Sequence, residues 1–313
     1  MRPTLATLAG MPEPAPIIRR GTLADSRQAF DVFLEAIVDL STRLGAPWEP
    51  RPDEMWPRME SLLAMLARHA AEWWVAEGVD GQLLGYARSM ERGGLFELSE
   101  FFVRPAHQSG GLGRELLERA FPAGRGEVRA IIATIDTRAQ ASYYRSGTAA
   151  RFPILSLVGE PGARSGAGAL DPTLEAVTAT PDLIPRLLEL ERNAIEFDRG
   201  DEMRWLVDER SGFLYRRAGR PIGYGFLAPR GGIGPVGTDD RADLPAILDH
   251  LERRAAELGI EEISADLPGP NEAGIRHLLG RGLTFDTFVT LLMSSRPFGR
   301  FDRFIGFAPP FVL

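Results

Sequence analysis

The chain lacks cysteine altogether, and none of its 36 basic residues is a lysine, so every one is an arginine. The first absence removes disulfides, thiol nucleophiles and cysteine-held zinc or iron–sulfur centres. The second removes a P-loop lysine, a Schiff-base lysine for pyridoxal phosphate and the strand lysine of kinases. Asparagine is nearly gone too, present only as Asn193 and Asn271, so the shortage of lysine reads as GC-rich codon usage. The exclusions hold whatever its origin. The four histidines, His69, His107, His250 and His277, show no H-E-x-x-H or other ligand spacing, so no metal is expected, and no G-x-S-x-G is present. No run reaches the roughly 18–20 apolar residues of a membrane span. Met1–Pro16 has no continuous apolar core behind a basic start, so no secretory signal is expected. A net charge of −7 with dispersed arginines leaves no nucleic-acid footprint. The expectation is a cytoplasmic protein, monomer or homodimer, without nucleic-acid or membrane partners.

What is present points to two domains. The 313 residues are 44% hydrophobic and 25% charged, ordinary values for a chain with room for two cores. The segment Val158–Pro172 is rich in glycine, alanine and proline without hydrophobic periodicity, and reads as a linker near the middle. The sides repeat. Each opens with a short strand and a threonine ahead of an aspartate (Thr22 and Asp25; Thr180 and Asp182), then a helix and a second helix. Each continues with a hairpin whose second strand carries a Gly-Tyr pair, Gly85-Tyr86 and Gly223-Tyr224, and ends strand, helix, strand, helix, strand. Asp136, Ala139, Tyr143 and Gly147 match Asn271, Gly274, Leu278 and Gly282 at a constant offset of 135. A duplicated α/β domain follows: a tail over 1–15, one domain over 16–158, a linker over 159–171 and a second domain over 172–313.

The chemistry concentrates in Leu95–Phe121. A strand ends at Val103, Arg104-Pro105 turns the chain, and Gln108-Ser109-Gly110-Gly111-Leu112-Gly113 opens a helix over Leu112–Ala120. A helix N-terminus carries about half a positive charge and four unpaired N–H groups. Glycines let a phosphate come close to them. The pattern suits a pyrophosphate, yet a dinucleotide fingerprint fails, because Glu115 and Leu116 follow Gly113 and the motif sits after the fourth strand.

Val103-Arg104-Pro105 with Gln108-x-x-Gly111-x-Gly113 resembles the acetyl-coenzyme-A signature of the GNAT superfamily of N-acetyltransferases. Asp136-x-x-Ala139-x-x-x-Tyr143-x-x-x-Gly147 is similar to its second signature, with Asp136, Ser142 and Thr148 departing from the usual residues. The resemblance implies two tandem GNAT-like α/β domains, each a mixed, mostly antiparallel sheet flanked by helices. It implies acetyl-coenzyme A as acyl donor and a small-molecule or peptide amine as acceptor. The pantetheine would pair with backbone at Phe101, Phe102 and Val103, and the phosphates would lie on Gln108 to Gly113, with Arg104 and Arg114 flanking. The second half departs: residues 237–246 hold three aspartates and no Gly-x-Gly, and Leu278 stands in the tyrosine position, so a structural or acceptor-shaping role is expected.

The amine must lose a proton, and Glu97 and Glu100 are the candidate bases, on opposite faces of one strand by alternation. Tyr143, protonated at neutral pH, is the candidate acid for the departing thiolate, and Asp136 opens its helix. A packed tyrosine and solvated glutamates are the plain alternatives. The loop Leu44–Met59, with Trp48 and Trp56, is the expected acceptor region, and the acidic stretch Glu196–Glu209 a further attractor for a cationic amine. A non-catalytic acetyl-coenzyme-A sensor or scaffold remains the competing reading.

Overall fold

A computed structural model describes residues 15–162 and 171–313. Residues 1–14 of the expected tail (1–15) and 163–170 of the expected linker (159–171) lie outside the described residues. The first half runs β1 (Ile17–Arg20), α1 (Ser26–Arg43), α2 (Pro52–Arg68), β2 (Ala70–Glu77), β3 (Leu83–Arg92), β4 (Leu95–Val103), α3 (Leu112–Ala120), β5 (Val128–Thr134), α4 (Thr137–Arg145) and β6 (Ala149–Gly159). The second runs β7 (Leu174–Thr178), α5 (Ile184–Ile195), α6 (Gly200–Glu209), β8 (Ser211–Arg217), β9 (Arg220–Leu227), β10 (Gly232–Thr238), α7 (Leu244–Glu257), β11 (Ile263–Pro268), α8 (Glu272–Arg281) and β12 (Thr284–Ser294). The two orders are identical. A short 3-10 turn at Phe301–Arg303 and a strand β13 (Phe304–Ile305), absent from the sequence-based expectation, follow. No described helix is long and apolar enough to cross a membrane.

Packing divides the chain differently from the repeat. Among the described residues, one compact unit comprises those up to Ala67, Trp73–Ala87 and Phe101–Ala120; the other comprises Arg68–Glu72, Arg88–Glu100 and those from Phe121 to Leu313. In the first unit the strands follow the order β1-β2-β3-β4, with Ile17–Arg20 antiparallel to Trp74–Glu77. Thr22 N–H donates to the Asp25 carboxylate at 2.7 Å, and Arg19 clamps the same carboxylate, which orders the entry to α1. α1 then buries Ala29, Phe30, Val32 and Phe33, with Phe33 edge-on to Phe102 at 5.1 Å. α3 buries Leu116, Leu117 and Ala120 and stops before Pro122, which cannot continue a helix.

In the second unit the order is β4-β5-β12-β6-β11-β10-β9-β8-β7, with β13 against β10. β12, the last long strand of the second half, lies between β5 and β6, pairing Thr290 with Thr134 and Ile154. β6 in turn lies between β12 and β11, pairing Ala265 with Leu157. Each half therefore lends its final strand to the sheet of the other. β4 and β5 are parallel from Leu95↔Val128 to Leu98↔Ile131, and β10 and β11 are parallel over Gly232↔Ser264 and Ile233↔Ala265. One core gathers Leu244, Ile247, Leu248 and Leu251 of α7 against Val236, Ile263 and Leu267. Another gathers Leu95, Val128, Ile132 and Leu292 with Phe298, Phe301 and Phe304.

Candidate functional site

In the first unit the loop after β4 is built as an open concavity. Ser109 (φ 70°) and Gly111 (φ 92°) both take the left-handed conformation, which turns the backbone sharply before α3 begins. A Cβ at Gly110 or Gly111 would meet nothing within 4 Å, so the space in front of the helix is clear. A Cβ at Gly113 would lie 3.3 Å from the Phe101 ring, so this glycine sets the close approach of α3 to β4. Gly85 on β3 does the same from below: its Cβ would stand 3.0 Å from the Phe102 carbonyl and 3.2 Å from Leu116. The repeated Gly-Tyr pair is thereby explained, since Gly223 faces the Gly237 carbonyl in the same way, at 2.7 Å.

The Gln108 amide donates to the Val103 carbonyl at 3.0 Å and closes the loop onto the end of β4. Arg104, expected beside the phosphates, is committed elsewhere. Its backbone N–H donates to Leu84 at 2.8 Å, its Nε to the Leu83 carbonyl at 2.7 Å, and its guanidinium pairs with Glu35. Arg114, in contrast, projects from the first turn of α3 with its side chain 82% exposed and only a 3.9 Å approach to Glu118. Arg114 is thus an exposed cation at this loop.

In the second unit Asp136 caps α4, accepting from Arg138 N at 2.8 Å and Ala139 N at 3.3 Å, so the departure from asparagine keeps the cap. Tyr143 is buried on that helix, and burial, reinforced by the Asp136 charge, pushes its phenol well above the ordinary value. Its carbonyl accepts from Ser146 Oγ at 2.8 Å and Thr148 Oγ1 at 2.9 Å. Arg129 on β5, a residue that the sequence reading passed over, donates to the Ser146 carbonyl at 2.5 Å and the Phe121 carbonyl at 2.7 Å. One guanidinium thus ties the exits of α3 and α4, where helix dipoles favour a cation.

The two glutamates of β4 were expected on opposite faces with one toward substrate; both are buried, each beside an arginine. Glu100 pairs with Arg88 at 2.8 Å. Glu97 pairs with Arg92, which also holds Glu202 of α6. Burial raises the Glu97 pKa despite Arg92 and Arg199; against the same burial, Arg92 and Arg199 bring Glu202 below its ordinary value. Removing the shared cation by Arg92→Met takes the ion-pair partner from two buried carboxylates and leaves them only the field of Arg199. We expect a loss of about 3–5 kcal/mol in urea unfolding, against under about 1 kcal/mol for the exposed-pair control Arg276→Met. The acidic stretch Glu196–Glu209 is likewise engaged: besides Glu202, Glu196 accepts from Gly299 N at 2.8 Å and Asp201 meets His69 at 3.1 Å.

The expected acceptor loop forms a cavity of about 380 Å³ in the first unit, bordered by Trp48, Glu49, Arg51, Glu54, Met55 and Met59. Trp56 does not border it; it packs edge-on to Phe30 at 5.3 Å. In the second half the stretch matching the glycine loop is self-satisfied: Asp240 caps Ala242 N at 2.9 Å and Asp243 meets Arg217 at 2.8 Å.

Residues 34–147 match the model of the acetyltransferase (GNAT) family. The whole fold is similar to a Pyrococcus horikoshii protein assigned as an acetyltransferase (TM-score 0.73, 16% identity, 99% of this chain and 100% of that one). It is also similar to a GCN5-related N-acetyltransferase from Sphaerobacter thermophilus (TM-score 0.61, 18% identity, 92% and 98%). A tandem GNAT protein from the clavulanic acid biosynthesis pathway aligns over 90% of this chain and 99% of its own, at TM-score 0.55 and 13% identity. No curated protein matches significantly in sequence. Residues 34–147 thus carry the acetyltransferase (GNAT) family's pattern, and the fold as a whole is similar to that of a tandem GNAT protein.

Proposed function

We propose that the chain transfers an acetyl group from acetyl-coenzyme A to a primary amine of a small molecule or peptide, with the first half catalytic and the second half structural or acceptor-shaping. The observation that carries the proposal is the loop from Gln108 to Gly113: cleared by its glycines, bent by two left-handed residues, and set at the head of α3. Such a loop presents backbone N–H groups and the positive helix end to a pyrophosphate, and no lysine is needed. Arg114 adds a cation there.

When bound, acetyl-coenzyme A supplies an activated acetyl group and a thiol leaving group. The backbone of Phe101, Phe102 and Val103 is the segment we assign to the pantetheine, with the N–H near Val103 polarising the thioester oxygen. The amine nitrogen forms the new C–N bond as the C–S bond breaks. Tyr143, whose raised pKa keeps the proton on its oxygen at every working pH, gives that proton to the departing sulfur. The amine proton leaves toward Glu100, through water. Each glutamate is held by an arginine, and we prefer Glu100, paired with Arg88, over Glu97, whose Arg92 also holds Glu202. The cavity beside Trp48 is the acceptor region; Arg51 and Arg58 share its lining and pair with Glu54 at 3.0 and 3.8 Å, which leaves the Trp48 ring and Glu49 to meet a cationic amine.

The test is release of free coenzyme A over a panel of amines, followed with a thiol reagent, for which a protein without cysteine gives no background. Amine-dependent thiol release at more than about tenfold over the amine-free rate is expected. Tight binding of acetyl-coenzyme A with no release for any amine would replace the enzyme by a sensor or scaffold.

A further inference from the structure

The second half has its own counterpart of the donor segment, and the register can be set by two contacts. Arg104 N–H donates to the Leu84 carbonyl at 2.8 Å just past β4, and Asp239 N–H donates to the Ile222 carbonyl at 2.8 Å just past β10. Gly85 faces the Phe102 carbonyl as Gly223 faces the Gly237 carbonyl. Phe101, Phe102 and Val103 therefore correspond to Val236, Gly237 and Thr238. The offset is 135, the one already seen between α4 and α8.

In the second half that segment is taken. One edge of β10 pairs with β9, Val236 with Gly225 and Gly237 with Tyr224. The other edge pairs antiparallel with β13, Val236 with Ile305 and Gly237 with Phe304, and β13 also packs against β11. β10 and β11 register with each other only at Gly232 and Ile233, so β13 stands where these strands part. The pin is specific. Asn271, at the N-terminus of α8, accepts from Gly274 N at 3.0 Å and donates its amide to the Phe304 carbonyl at 3.0 Å. Its first-half counterpart is Asp136, which keeps the cap but has no amide to donate. Arg303 donates to the Asn193 carbonyl at 3.0 Å and to the Asp239 carbonyl. Arg199, fully buried, lies against the rings of Phe304 and Phe307 at 5.7 and 5.5 Å.

We infer that Phe304 and Ile305 are a resident strand filling the second half's acyl-donor slot, so that the chain binds one acetyl-coenzyme A and the second half is a fixed module. The inference rests on the assignment of Phe101 to Val103 as the donor segment. Backbone pairing along β10 by β13 supplies what an incoming amide chain would offer, and the aspartates beside it repel a pyrophosphate.

Hydrogen exchange on the full chain, with and without saturating acetyl-coenzyme A, tests this. Peptides covering 235–238 and 303–306 are expected to be protected without ligand and unchanged by it, while the peptide covering 101–104 gains protection. Ligand-dependent protection at 235–238, or rapid exchange of 303–306 in the free protein, would overturn the inference. No change at 101–104 would instead overturn the donor-segment assignment. Asn271→Asp provides the second arm, because it keeps the helix cap and turns the pin into a repulsion against the Phe304 carbonyl. Exchange at 303–306 is expected to accelerate at least about tenfold, with the cap peptide of α8 unaffected. Unchanged exchange at 303–306 would contradict the pin.

Discussion

Replacing Tyr143 by phenylalanine is expected to lower kcat by about 10²-fold or more while leaving the dissociation constant for acetyl-coenzyme A within about twofold. The substitution keeps the ring in its buried place and removes only the hydroxyl, so packing is nearly unchanged. A free phenol and an alkyl thiol have comparable pKa values; burial raises Tyr143 above that, so its hydroxyl stays protonated and acts on the sulfur only as thiolate charge develops. Burial and the Asp136 charge both favour the protonated form. Tyr143 deprotonation therefore contributes no alkaline decline to the wild-type pH–rate profile below about pH 10. Steady-state kinetics with calorimetric binding separates the terms. An unchanged kcat would reduce Tyr143 to a packing residue.

The second large effect is expected at Gly111. Valine there must adopt φ near 92°, a conformation that β-branched residues avoid at a cost of about 1–3 kcal/mol, and it projects into the space cleared before α3. Acetyl-coenzyme A affinity is expected to fall at least about 100-fold by calorimetry, because the substituent stands between the phosphates and the N–H groups of the helix. Gly81→Val is the matched control: φ is 77°, nothing lies within 4 Å of the added Cβ, and the position is a turn between β2 and β3. Its strain is similar, and its affinity is expected to match wild type. Equal losses in both variants would assign the effect to destabilisation.

The parts of the molecule legible in the sequence are those that depend on local chemistry. α3 is bounded by Gly111 and Pro122, both strong local signals, and the structure places it over the expected residues Leu112–Ala120. The element order of both halves follows from hydrophobic period and turn residues in the same way. Non-local pairing has no such signal. Nothing in β6 or β12 announces that each completes the sheet of the other half. β13 is two residues long, in a stretch punctuated by Pro297, Gly299, Gly306 and Pro309, and shows no period.

At the site the contrast is the same. The glycine loop and the Asp136 cap were visible because glycine and capping residues act through backbone they themselves shape. Arg104 was expected at the phosphates from its place in the motif, yet Glu35 and the Leu83 carbonyl hold it. Glu97 and Glu100 looked like solvated strand residues or bases; three-dimensional packing puts an arginine beside each. Arg129, one among 36 arginines, had nothing local to distinguish it until two helix ends converged on it.

The most direct test of the central claim is calorimetric titration of the full chain with acetyl-coenzyme A. One site per chain is expected, lost in Gly111→Val and retained in Tyr143→Phe. A second site of comparable affinity, or binding that survives Gly111→Val, would contradict the account of a single glycine-lined donor site in the first half.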